Sequence, residues 1–189
     1  TGTVKCWGYN GAGQLGINST TDYWFPVTVS GITDATALSA GAFHTCALTG
    51  TGTVRCWGSN TDGQLGDNST TNRWLPVTVS GITDATALSA GYYHTCALTG
   101  TGTVQCWGKN TDGQLGNNST ANSLIPVTVS GITDATALSA GYNDTCALTG
   151  TGMMQCWGFN GQGQLGNNSN VQSLVPVTVS NISDATALS

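Results

Sequence analysis

What this 189-residue sequence has little of narrows its chemistry before any motif is read. It contains no glutamate, two histidines and four basic residues (Lys5, Arg55, Arg73 and Lys109), and its formal net charge is −5. So few cations cannot neutralise a phosphate backbone, which argues against nucleic-acid binding and against attraction to an anionic membrane surface. No apolar run approaches the length of a bilayer span, so no membrane insertion is expected. No Ser–His–acid or Cys–His arrangement can be read from the spacing, so no catalytic residue is assigned and the chain is read as a non-enzyme. Close Cys-x-x-Cys pairs and carboxylates at calcium-loop spacing are also missing, so neither metal nor cofactor is expected. The chain opens in mid-pattern without a methionine and reads as a mature or partial product, in which a missing signal peptide says nothing about secretion.

What is present is repetition. Residues 51–100 match residues 1–50 at 40 positions, and the frame continues through 101–150 and 151–189, the last copy being short. Copies in one frame should share one fold, so residues 1–189 are read as one domain or a fragment of one. Within the second copy, Thr86-Ala-Leu-Ser-Ala90, Thr95-Cys-Ala-Leu-Thr99, Thr103-Val-Gln-Cys-Trp107 and Pro76-Val-Thr-Val-Ser80 read as short strands. They are largely period-2 and bounded by turn residues. Asn60-Thr-Asp-Gly-Gln-Leu-Gly66 reads as a turn, because Asn, Asp and Gly tolerate left-handed backbone. Four strands per unit, repeated, is the arithmetic of an all-β propeller of four-stranded antiparallel blades. A literal Gly-x-Gly-x-x-Gly from Gly11 to Gly16 recurs from Gly161 to Gly166. It lacks the following helix that a nucleotide site needs and reads as a connecting turn.

The run from Leu88 to Leu98, continued by Gly102-Thr-Val-Gln-Cys-Trp-Gly-Lys-Asn110 and Gly113-Gln-Leu-Gly116, resembles the regulator-of-chromosome-condensation repeat along the whole chain. The resemblance implies a propeller, usually seven-bladed, in which sequence repeat and blade are offset. The acidic, cysteine-rich character is similar to the bacterial extracytoplasmic branch, in which a propeller face grips a partner. Guanine-nucleotide exchange on a GTPase, the role of the best-known relatives, is the less favoured implication.

Seven cysteines, at 6, 46, 56, 96, 106, 146 and 156, alternate at spacings of forty and ten. Pairing Leu48 with Val54 around the Thr49–Thr53 turn sets Cys46 opposite Cys56, at bridging distance. The same register joins Cys96 to Cys106 and Cys146 to Cys156. Buried thiols in a reducing compartment are the alternative, and bridges imply secretion. Cys6 has no partner in the chain. Two completions are open: further repeats closing a larger ring, or head-to-tail assembly of two half-rings.

The copies differ at few positions. Thr21–Phe25 becomes Thr71–Leu75, Ala121–Ile125 and Val171–Val175. Ala42-Phe-His44 becomes Tyr92-Tyr-His94 and Tyr142-Asn-Asp144. The ninth position carries Tyr9, Ser59, Lys109 and Phe159. A constant frame with variable aromatics at loop positions is how a scaffold presents a binding face. The expected contacts to a protein or glycan partner are Tyr23, Trp24, Phe25, Phe43, His44, Arg73, Trp74, Tyr92, Tyr93, His94 and Tyr142. A self-associating surface repeat protein is the rival reading. The constant Trp7, Trp57, Trp107 and Trp157 are expected to pack blade on blade. Asp34, Asp84, Asp134 and Asp184 are expected to cap turns through their carboxylates.

Overall fold

The computed structural model describes residues 2–188 and, among them, contains only strands and turns. β1 (Lys5–Gly8) and β2 (Tyr23–Thr28) form a two-stranded sheet. Three four-stranded sheets follow. The first holds β3 (Ala35–Ala40), β4 (His44–Thr49), β5 (Val54–Gly58) and β6 (Arg73–Thr78). The second holds β7 (Ala85–Ala90), β8 (His94–Thr99), β9 (Val104–Gly108) and β10 (Ser123–Thr128). The third holds β11 (Ala135–Ala140), β12 (Asp144–Thr149), β13 (Met154–Gly158) and β14 (Ser173–Thr178). Each is an antiparallel meander, and each is a blade. A blade takes its first two strands from one sequence repeat and its last two from the next, the expected offset.

Register within the blades follows the expected hairpin. Leu48 faces Val54 and Cys46 faces Cys56, and the equivalent positions pair in the next two blades, with Met154 in place of the valine in the third. All three disulfides form, each with a Cα–Cα separation of 4.1 Å. The outer strand differs from expectation. It starts at Arg73 rather than Pro76, because Gly58 faces Arg73 while Cys56 faces Val77. The intervening Trp74, Leu75 and Pro76 bulge outward. Proline has no N–H for the ladder and is tolerated at such an edge, where it also discourages pairing with another strand. The variable segments Thr21–Phe25 and Thr71–Leu75 therefore lie partly in strand rather than wholly in loops. The aspartates also act differently from expectation: the backbone carbonyls of Asp34, Asp84 and Asp134, not their carboxylates, accept the N–H of Gly50, Gly100 and Gly150 at 2.8–2.9 Å. Those carboxylates point into solvent.

Blades are joined through one carbonyl per repeat. The backbone oxygen of Gln64 accepts both the Trp107 indole N–H and the Thr95 hydroxyl at 2.9 Å. Gln14 serves Trp57 and Thr45 alike, and Gln114 serves Trp157 and Thr145. The three indoles are wholly buried, as their constancy predicts, whereas Trp7 is 61% exposed. The loop that carries this glutamine is held by a buried asparagine. Asn60 Oδ1 accepts the Leu65 N–H, and Asn60 Nδ2 donates to the Ser69 carbonyl. Gly66 has φ +67°, and a Cβ there would lie 2.9 Å from the Trp107 indole nitrogen, so only glycine fits. Beyond it, Asn68 has φ +59° and donates its N–H to the carbonyl of Leu124 on β10. Near the axis, Ser39 and Ser89 hydroxyls accept the N–H of Ala90 and Ala140 on the adjoining blades.

A second set of blade-to-blade bonds runs through histidine. His44 Nε2 lies 2.9 Å from Thr95 Oγ1, and His94 Nε2 2.9 Å from Thr145 Oγ1. Since each threonine hydroxyl already donates to a glutamine carbonyl, the histidine is the donor. Its Nδ1 is then a bare acceptor, buried without a partner in both cases. Loss of solvent pushes His44 down to about 4. The same loss, with the adjoining His44, pushes His94 to about 3.

Two measurements check these arrangements. Replacing Cys96 and Cys106 by serine should lower the unfolding free energy by roughly 2–3 kcal/mol in denaturant titration. An unchanged midpoint would show that the bridge is not formed. For the histidines, the unfolded chain titrates near 6.5 and the folded one near 4 or below. Stability is therefore complete above pH 7 and is lost as pH falls from about 6.5 through about 4. By pH 5 each histidine should withdraw about 1–2 kcal/mol. His94→Gln should remove about half of the change in denaturation midpoint between pH 7 and pH 5.

Candidate functional site

The loops joining the first and second strands of each blade, residues 41–43, 91–93 and 141–143, gather at one end of the propeller. Their small residues let successive inner strands converge. The Tyr92 N–H reaches the Gly141 carbonyl at 3.2 Å, and a Cβ on Gly91 would collide with both the His94 ring and the Gly141 carbonyl. With backbone so close, the side chains of these loops are pushed out onto the end face. They form a continuous aromatic strip. Tyr9 meets Phe43 edge-on at 6.4 Å between centroids, and Phe43 meets Tyr92 at 6.0 Å and Tyr93 at 6.3 Å. Tyr92 meets Tyr93 at 4.5 Å and Tyr142 at 4.1 Å. A shallow depression of about 230 Å³ lies beside Tyr92 and Tyr142.

Charge surrounds the strip. Lys109 Nζ sits 5.5 Å from the Tyr93 ring centroid, a cation–π contact. Asp62 accepts from Asn122 of the adjoining repeat, and Asp112 accepts from Asn143, both at 3.0 Å. The Tyr93 hydroxyl is held above its ordinary range by loss of solvent, then by Tyr92, Tyr142 and Asp62. Asp144, where the other copies carry histidine, is half-buried and likewise raised by loss of solvent. The strip can offer large rigid contact area with carboxylates at its border. It contains no nucleophile paired with a base.

The expected contact residues divide into three groups. Phe43, Tyr92, Tyr93 and Tyr142 come together in the strip. Tyr23, Trp24, Phe25, Arg73 and Trp74 lie on the outer strands, away from it. There Tyr23 packs edge-on against Phe25 at 5.5 Å, and Trp24 is 86% exposed. Trp74 rests over Gly13 of the preceding repeat, where a Cβ would lie 2.4 Å away. Arg73 is taken by Asp67 at 2.8 Å. Burial works against that carboxylate's charge, but the bonds from Ser69, Arg73 and Asn60 outweigh it and hold Asp67 below the usual range. His44 and His94 form the third group and correct the sequence reading. Both are sealed beneath the strip by the next blade's threonine, so neither can touch a partner.

Tyr9, Lys109, Asp62, Asp112, Asn122 and Asn143 belong to the face and were not among the expected contacts. A signal for Lys109 was present: the hairpin register that pairs the cysteines also sets it beside Tyr93, whose carbonyl accepts the Lys109 N–H at 3.0 Å.

The fold has solved relatives. Yeast RCC1 (Prp20), crystallised bound to Kap60, superposes with a TM-score of 0.83 at 20% identity, over 95% of this chain and 45% of that one. A second structure of Prp20p from Saccharomyces cerevisiae was described with its binding properties to Gsp1p and histones. It gives a TM-score of 0.83 at 21% identity, over 95% of this chain and 46% of that one. Human WBSCR16 gives 0.84 at 22% identity, over 94% of this chain and 48% of that one. The chain thus spans about half the length of these relatives. A sequence comparison with curated proteins returned no match. The family model described as "Regulator of chromosome condensation (RCC1) repeat" matches residues 1–48, 51–98, 101–148 and 152–188, with a second model of that description matching 35–64, 85–114 and 135–164. With all four copies matched, the chain belongs to the RCC1 repeat family.

Proposed function

We propose that this chain is a non-enzymatic, extracytoplasmic binding scaffold that grips a protein partner with the aromatic end face. The observation carrying the proposal is the unbroken strip from Tyr9 through Phe43, Tyr93 and Tyr92 to Tyr142. It occupies positions that vary among otherwise constant copies. Tyrosine and phenylalanine supply area at low entropic cost, and such residues dominate interface energetics. At the centre of the strip Phe43, Tyr92 and Tyr93 pack against one another, edge-on or stacked, which turns ring surface inward and favours protein over glycan. With a net charge of −5 and Asp62 and Asp112 at the border, the complementary partner presents lysine or arginine. The yeast relatives bind proteins, which supports the reading without identifying the partner. The three bridges favour an oxidising compartment.

A photo-crosslinking residue in place of Tyr142 should capture one protein from the native extracellular milieu. The same residue at Thr151, on the opposite end, should not. Tyr93→Ala should weaken the captured complex by about 2 kcal/mol, roughly thirtyfold in Kd. Asp62→Asn should chiefly slow association and flatten its salt dependence. Equal capture from both ends would remove the face from the account. Concentration-dependent self-association without a partner would favour the structural-array reading.

A further inference from the structure

On the outer rim, between the loop of Asn18 and strand β6, lies a groove of about 450 Å³ lined by Asn18, Asn72, Arg73, Trp74, Leu75 and Val77. Trp74 is its platform. The Cδ1 edge of the indole lies against Gly13 of the preceding repeat, yet the residue remains 47% exposed. The ring is thus clamped on one side and open on the other. Its backbone is fixed as well, since the Trp74 carbonyl accepts the Asn18 N–H at 2.9 Å.

The polar groups around the indole are largely unengaged. Asn72 Oδ1 accepts the Asn60 N–H at 2.8 Å, which leaves Nδ2 to donate outward. In the next copy, Asn122 Nδ2 is taken by Asp62, but Ala12 stands in the first copy where Asp62 stands in the second. Among the described residues, neither Asn72 Nδ2 nor the Asn18 carboxamide has a partner. Arg73 is held through Nε by Asp67 and through Nη2 by Ser69, so its charge is met while Nη1 stays open. In the next two blades Leu124 and Leu174 replace Trp74, over Gly63 and Gly113. Among the described residues, ring and free amides therefore coincide only here.

This lining selects its occupant. An apolar side chain would cover the indole but leave the amide donors dry, which costs binding energy. An anion gains little, because Asp67 already neutralises Arg73. A pyranose with equatorial hydroxyls meets both demands. Its axial C–H bonds lie on the electron-rich indole face, and its hydroxyls and ring oxygen accept from the amides. We propose that the groove is a saccharide site, in which a neutral β-linked hexopyranose stacks on Trp74 and takes hydrogen bonds from Asn72, Asn18 and Arg73. The site is separate from the aromatic end face and does not rest on the protein-partner reading.

The probes are cellopentaose and penta-N-acetylchitopentaose, titrated into the whole chain while indole N–H signals are followed by nuclear magnetic resonance. At millimolar sugar, the Trp74 signal should move and those of the buried Trp57, Trp107 and Trp157 should not. Binding of either sugar supports the proposal, and the preferred one shows whether the ligand is glucose- or N-acetylglucosamine-based. Trp74→Leu installs the side chain that the next two blades carry, so the fold is kept. It should weaken binding at least about tenfold by isothermal titration calorimetry. Ala12→Asp should engage Asn72 as Asp62 engages Asn122, and weaken binding about threefold. Trp24→Ala, at an exposed residue outside the groove, should leave affinity unchanged. A Trp74 signal silent to both sugars, or undiminished binding by Trp74→Leu, would overturn the proposal. So would a Trp74 shift with N-acetyl-leucinamide alone, which would mark a patch for apolar side chains.

Discussion

One backbone carbonyl per repeat holds this molecule together. The oxygens of Gln14, Gln64 and Gln114 each accept an indole N–H and a threonine hydroxyl from the next blade, beneath a fully buried tryptophan. A four-stranded blade has two faces and no core of its own. It becomes stable only by setting its tryptophan against its neighbour, as expected for quasi-one-dimensional repeat architectures. Much else follows from this contact. The asparagine at Asn10, Asn60 and Asn110 is buried because it shapes the loop that presents the carbonyl. The glycine at Gly16, Gly66 and Gly116 is required because the indole occupies the space a Cβ would need. The disulfides pin the inner hairpin on which the tryptophan stands.

The same constraint separates scaffold from face. The glutamine, tryptophan and threonine that make the blade-to-blade hydrogen bonds are constant among the copies, while variation gathers on the end face and on the outer strands. His44 and His94 show where the boundary runs. They adjoin the variable aromatics in sequence, yet they belong to the scaffold, bonded to a threonine fifty-one residues on. In the third blade Asp144 stands at this position and is half-buried.

How much was legible in the sequence depended on the range of each interaction. The pairing of Cys46 with Cys56 is local, set by a five-residue turn, and could be read directly. The buried role of Trp57, Trp107 and Trp157 was also readable, because constancy across copies marks the shared interface. The start of the outer strand was not. Pro76 looks like a strand opener, and Trp74 and Leu75 look like loop variation, whereas the bulge that absorbs them depends on strand β5 beside it. The burial of His44 was hidden for a related reason, since its partner lies in the next blade. The Asp34 carboxylate was assigned a cap that its own backbone carbonyl supplies.

The central claim is that the tryptophan–glutamine contact is what makes separate blades one cooperative body. Indole hydrogen exchange followed by nuclear magnetic resonance tests it most directly, since each ring proton reports its own site. The account requires the Trp57, Trp107 and Trp157 indole protons to exchange slowly and at similar rates, through global unfolding, while those of Trp7 and Trp24 exchange at solvent-limited rates. Fast exchange at Trp107, the central one of the three, with the sheets still intact would contradict it.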